Sequence, residues 1–118
     1  MAENYFTKKM DKGSLNISEE VIASIIRSAV LEVEGVSDLA NAAGADIAEF
    51  IGLKPASRGI KISFEEEDVS ADIIITVNYG SNIVEVAKKV QDNVFASVSG
   101  LTGIDNAIIN IHVAGIAF

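Results

Sequence analysis

Few residues in this chain of 118 could carry out covalent or metal chemistry. It contains one histidine, His112, and no cysteine. A lone imidazole cannot build a multi-histidine metal site, and a chain without thiols has no thiolate zinc site, disulfide or cysteine nucleophile. His112 stands in the alternating run Ile109-Asn110-Ile111-His112-Val113. That spacing puts it on the polar side of a strand, with no acid or nucleophile set at a fixed distance to make it a general base. Carboxylates are plentiful at 17, but none is embedded in the kind of apolar run that prepares a carboxyl group for acid catalysis. Four in a row, Glu65-Glu66-Glu67-Asp68, suggest Ca²⁺. A calcium loop, however, alternates its ligands around a central glycine, so the cluster reads as a solvated turn that discourages edge pairing. Gly100-Leu101-Thr102-Gly103 lies at a helix end, whereas a phosphate cradle needs amides at a helix start. No catalytic, cofactor or metal residue is nominated, and the chain is expected not to be an enzyme. Recognition is the chemistry that remains.

The charge balance narrows what can be recognised. Nine Lys and Arg against 17 Asp and Glu give a net charge of −8. So acidic a surface repels phosphate backbones and anionic lipid head groups, which argues against nucleic acid and against direct membrane insertion. The longest uncharged run, Asn106 to Phe118, has 13 residues, short of the roughly 20 that span a bilayer. Lys8, Lys9 and Lys12 are followed by no apolar stretch of signal-peptide type. The expected location is the cytoplasm, with membrane association only through a partner. Length and 49% hydrophobic content suit a single core. Residues 1–12 are expected to be a flexible basic tail and residues 13–118 one domain.

Periodicity predicts the elements. Leu15 and Ile17 alternate with polar neighbours as a short strand. Ser18 then reads as an N-cap, with Glu19 and Glu20 in the first helical turn and Ile22, Ile25, Ile26, Ala29 and Val33 at helical spacing. This predicts a helix over 18–34 closed by Gly35. Residues 37–58 read as a connecting excursion with a short helix around Asp46–Ile51. Ile60, Ile62 and Phe64, then Val69 to Tyr79 at every second residue, predict an antiparallel hairpin. Asn82 with Glu85 opens a second helix, whose inner face is Ile83, Val86, Ala87, Val90, Val94, Val98 and Leu101 and which ends at Gly100 and Gly103. Ala107–Phe118 is the last strand. The order β-α-β-β-α-β predicts an α+β two-layer sandwich: a mainly antiparallel sheet with two helices on one face.

Six segments stand in an order that resembles a known family. They are Ile17-Ser18-Glu19-Glu20-Val21-Ile22, Glu32-Val33-Glu34-Gly35-Val36, Arg58-Gly59-Ile60-Lys61-Ile62, Tyr79-Gly80, the run from Val86 through Lys88, Lys89 and Gln91 to Val94, and Ile109-Asn110-Ile111-His112-Val113-Ala114-Gly115-Ile116. Together they are similar to the alkaline shock protein family, the general-stress or envelope stress response proteins of Gram-positive bacteria, from about Gly13 to Phe118. The resemblance implies a non-enzymatic cytoplasmic protein of envelope homeostasis. Such a protein works through protein contacts, in some relatives with a membrane-anchored partner, and brings no catalytic residues. An alternative it also implies is a regulator that binds a metabolic enzyme of lipid synthesis.

Two surfaces are candidates for those contacts. On the second helix, Val84 and Phe95 fall roughly 120–140° from the core stripe, beside Lys88 and Gln91. On the first helix, Leu31 stands about 160° from the stripe, among charged residues. Their bland reading is ordinary surface apolars, with Phe95 tucked under the 37–58 excursion. The second surface is the uncovered sheet face, Ile74, Thr76, Asn78, Ile108, Asn110 and His112, where a homodimer could pack.

Overall fold

The computed structural model describes residues 5–40, 58–65 and 68–118. Its elements are β1 (Tyr5–Met10), β2 (Gly13–Ser18), α1 (Glu19–Leu31), β3 (Val36–Leu39), β4 (Ile60–Glu65), β5 (Asp68–Asn78), α2 (Ile83–Thr102) and β6 (Ala107–Ala117). The architecture is the expected α+β sandwich, and β5 is its axis. Val69, Ala71, Ile73, Ile75 and Val77 alternate inward and are all buried, while Ser70, Asp72, Ile74 and Thr76 face the other way and are half-buried. β4 pairs antiparallel with the first half of β5, from Glu65 opposite Asp68 to Ile60 opposite Ile73. β3 continues along the same edge, from Leu39 opposite Ile75 to Val36 opposite Val77. The two meet at Ile74, whose carbonyl accepts from the Ala40 N–H at 2.9 Å and whose N–H donates to the Gly59 carbonyl at 2.8 Å. β6 takes the other edge of β5 and runs parallel to it. A parallel neighbour requires a crossover, and α2 supplies it.

Both helices lie on one face because each has a single apolar stripe. Ser18 Oγ accepts from the Val21 N–H and caps α1, which buries Ile22, Ala23, Ile26, Ala29 and Val30. Asn82 Oδ1 accepts from the Glu85 N–H and caps α2, which buries Val86, Val90, Val94 and Val98 at four-residue intervals. Each buried Val or Ile side chain contributes about 1.5–3 kcal/mol on leaving water. Asn93 Nδ2 donates to the Ala29 carbonyl at 2.7 Å and ties the two helices together.

The structure departs from the sequence reading in four places. Tyr5–Met10 is no tail: it pairs with β2 through a two-residue turn, Asp11-Lys12, with Gly13 at φ +149°. Phe6 and Ile17 are the buried members of this hairpin, and the Phe6 ring lies 6.2 Å from that of Phe64. Lys8 Nζ reaches the Gly103 carbonyl at 3.3 Å, the favourable place for a cation at the end of a helix. One inward residue among exposed lysines makes no period, so the strand has no signature in the sequence. Second, α1 ends at Leu31, three residues early. Gly35 instead turns the chain at φ +102°, where a Cβ would lie 2.7 Å from Val86 Cγ2. Third, β3 occupies the start of the supposed excursion. Fourth, Ile83 and Leu101, expected on the inner face of the second helix, are 41% and 72% exposed at its two ends. The short helix expected around residues 46–51 lies outside the described residues, as do Glu66 and Glu67 of the acidic turn.

Candidate functional site

Among the described residues β6 pairs only with β5, so its outer edge has no strand partner. The direction of its backbone groups follows from two contacts. The Asn106 carbonyl accepts from the Val69 N–H, toward the sheet, and the Ile109 carbonyl accepts from Gln91 Nε2 at 2.8 Å, away from it. Alternation therefore turns the N–H and C=O groups of Ala107, Ile109, Ile111 and Val113 outward. α2 runs beside this edge and makes a wall above it. The edge and the wall enclose a groove in two adjoining parts of about 640 Å³ and 460 Å³ that share Gln91, Ile109 and Asn110.

This groove joins most of the first candidate surface with half of the second. Val84, Lys88 and Gln91 line its first part together with Asn110 and His112. Phe95 lines the second part with Ile108. Val84 is 67% exposed, Phe95 40% and Ile108 58%, so Phe95 stays open to solvent beside β6. Lys88 and Asp92 add one charge of each sign. His112 Nε2 lies 3.3 Å from Asp72 Oδ1; both side chains are largely exposed, which leaves such a pair little net energy.

Other nominated residues fall elsewhere. Leu31, 44% exposed, sits at the end of α1 and lines neither part of the groove. Ile74 and Thr76 are half-buried near the middle of the sheet face, where Thr76 Oγ1 donates to the Asp38 carbonyl at 3.4 Å; Asn78 is exposed at the end of β5. The sequence reading misses Ile83, Ala87 and Ile111 as lining residues, and it misses the open edge itself. Only the uncharged run Asn106–Phe118 signals that edge, and its length speaks first to membrane spanning.

Among the described residues no three His, Asp or Glu side chains are grouped to hold a metal ion, and no helix is long and apolar enough to cross a membrane. Among the described residues the arrangement offers edge backbone donors and acceptors without a strand partner between apolar side chains, which is what an added strand uses in binding.

Comparison with known proteins agrees with the motif order. YloU of Bacillus subtilis (strain 168) is 33% identical over 106 residues, covering 88% of each chain. YqhY of the same organism is 30% identical over 106 residues, covering 90% of this chain and 78% of that one. A solved MamM CTD variant superimposes with a TM-score of 0.49 at 22% identity, covering 81% of this chain and 94% of that one. A family model of cell envelope-related function matches residues 7–118, and the chain belongs to that family, the alkaline shock protein family.

Proposed function

We propose that this protein is a non-catalytic interaction module of the cell-envelope stress response. It acts through protein contacts at or near the inner membrane face, and the groove between α2 and the open edge of β6 is its contact surface. The reading is carried by one observation: Val84 and Phe95 of α2 and Ile108 of β6, exposed apolar residues of an acidic protein, converge on one groove. Isolated exposed apolars are ordinary; several gathered around unpaired strand edges mark a contact site.

Phe95→Glu and Val84→Glu test it, since both side chains are exposed enough to be replaced without emptying the core. The variants should keep the wild-type circular dichroism spectrum and lose an envelope protein that the wild type captures from a native lysate retaining its membranes. Leu31→Glu, outside the groove, should retain it. Capture unchanged in both groove variants would overturn the reading. Groove-dependent capture of a biosynthetic enzyme in place of an envelope protein would make the chain a metabolic regulator.

A further inference from the structure

We infer that the open edge of β6 pairs antiparallel with β6 of a second copy of this chain, about a twofold axis at Asn110. The inference deepens the reading above, resting on it only in taking the groove as a contact surface.

The position of the axis comes from the strand. β6 follows β5 in regular register from Ala107 to Val113 and is then interrupted by a bulge at Ala114. The outward groups of the regular stretch belong to Ala107, Ile109, Ile111 and Val113, a set symmetric about Asn110. Pairing about that residue puts Ile109 opposite the second copy's Ile111 and Ala107 opposite its Val113. All four outward residues of each strand are then used, giving about eight backbone hydrogen bonds. Moving the axis by one residue either way leaves one outward residue on each strand unpaired.

The side chains suit the same arrangement. β6 contains no Asp, Glu, Lys or Arg, so no like charges meet across the strands although each molecule carries a net charge of −8. Toward the helices the facing residues are all apolar. On the open face Ile108 meets the second copy's His112, and the two Asn110 side chains meet each other. The Gln91 contact at Ile109 and the lining of the groove show that α2 runs antiparallel to β6, Phe95 near Ile108 and Val84 near His112. The twofold axis therefore carries Lys88 toward the second copy's Asp92 and Val84 toward its Phe95. In the single molecule the Gln91 amide occupies the place at the Ile109 carbonyl that the second copy's Ile111 N–H would take. Gln91 is thus a side-chain cap on an edge that is otherwise a template for pairing.

Because the chain has no cysteine, Asn110→Cys is a single-thiol probe. Residues facing each other without shared hydrogen bonds have Cα atoms about 4.5 Å apart, within disulfide reach. Mild oxidation should convert N110C to a covalent dimer of twice 12.4 kDa, while Ser63→Cys, exposed on β4, should form no covalent dimer. Ile108→Cys and His112→Cys should each crosslink poorly alone and well when mixed. In sedimentation, Asn110→Asp should raise the dimer dissociation constant at least tenfold. Asn110→Lys should do the same, and mixing the two should restore dimers. N110C crosslinking no better than S63C, or N110D dimerising as tightly as wild type, would overturn the inference. A protein that stays monomeric yet captures its partner through Phe95 would overturn the dimer and leave the proposed function standing.

Discussion

Gly35 offers a sharp test of the packing that holds the groove wall in place. It turns the chain from α1 into β3 at φ +102°, its carbonyl accepts from the Asn78 N–H at 2.8 Å, and an added Cβ would lie 2.7 Å from Val86 Cγ2 in the first turn of α2. Gly80, in the connection from β5 to α2, has φ +94° with nothing within 4 Å of its Cβ position. Alanine at either site incurs the left-handed backbone penalty of about 1–2 kcal/mol, and the loss of unfolded-chain freedom is common to both. Only Gly35→Ala must also displace a buried valine on a packed helix, an overpacking cost of about 1–3 kcal/mol. Chemical denaturation should therefore place Gly35→Ala about 1–3 kcal/mol below Gly80→Ala. Val86→Ala in the Gly35→Ala background should cost less than Val86→Ala alone, since it removes the clash. Equal destabilisation by the two glycine variants, or strict additivity with Val86→Ala, would refute the reasoning.

Two further outcomes test other joints of the fold. Phe6→Ala should cost about 3 kcal/mol, the usual loss for a buried aromatic, if the β1–β2 hairpin belongs to the core; a loss below about 0.5 kcal/mol in urea unfolding, the range of an ordinary surface change, would make it an appendage. Asn82→Ala removes the side chain that accepts from the Glu85 N–H at 3.0 Å and should cost about 1 kcal/mol by the same measurement.

Much of this architecture is legible from periodicity, because the long elements each bury one face. The eleven alternating residues of β5 and the valines at 86, 90, 94 and 98 declare a strand and a helix without reference to anything distant. β1 is not legible: only Phe6 of its six residues is buried, and three polar or charged residues follow it. β3 is four residues long with one buried side chain, Leu39, too short to show any period. The end of α1 is misplaced in the sequence reading because Gly35 looks like a helix stop, while its positive φ serves the turn into β3.

The site is half legible for a related reason. Helical angles pick out Val84, Lys88, Gln91 and Phe95, and strand alternation picks out Ile108, Asn110 and His112. That these are one groove depends on β6 joining β5 in parallel at the edge beneath α2, a long-range pairing that no local pattern encodes. Leu31 passes the same angular test as Phe95 and lies elsewhere, so angle alone does not find a site.

Residue-by-residue amide hydrogen exchange along β6 tests the central claim most directly. In dilute protein, the outward amides of Ile109, Ile111 and Val113 should exchange much faster than the inward amides of Ile108, Asn110 and His112, which bond to β5. In the assembled state, with a second copy or a captured partner bound, that sawtooth should flatten as the outward amides slow by at least tenfold. A sawtooth that persists unchanged in the complex, with protection arising on another surface, would contradict the account.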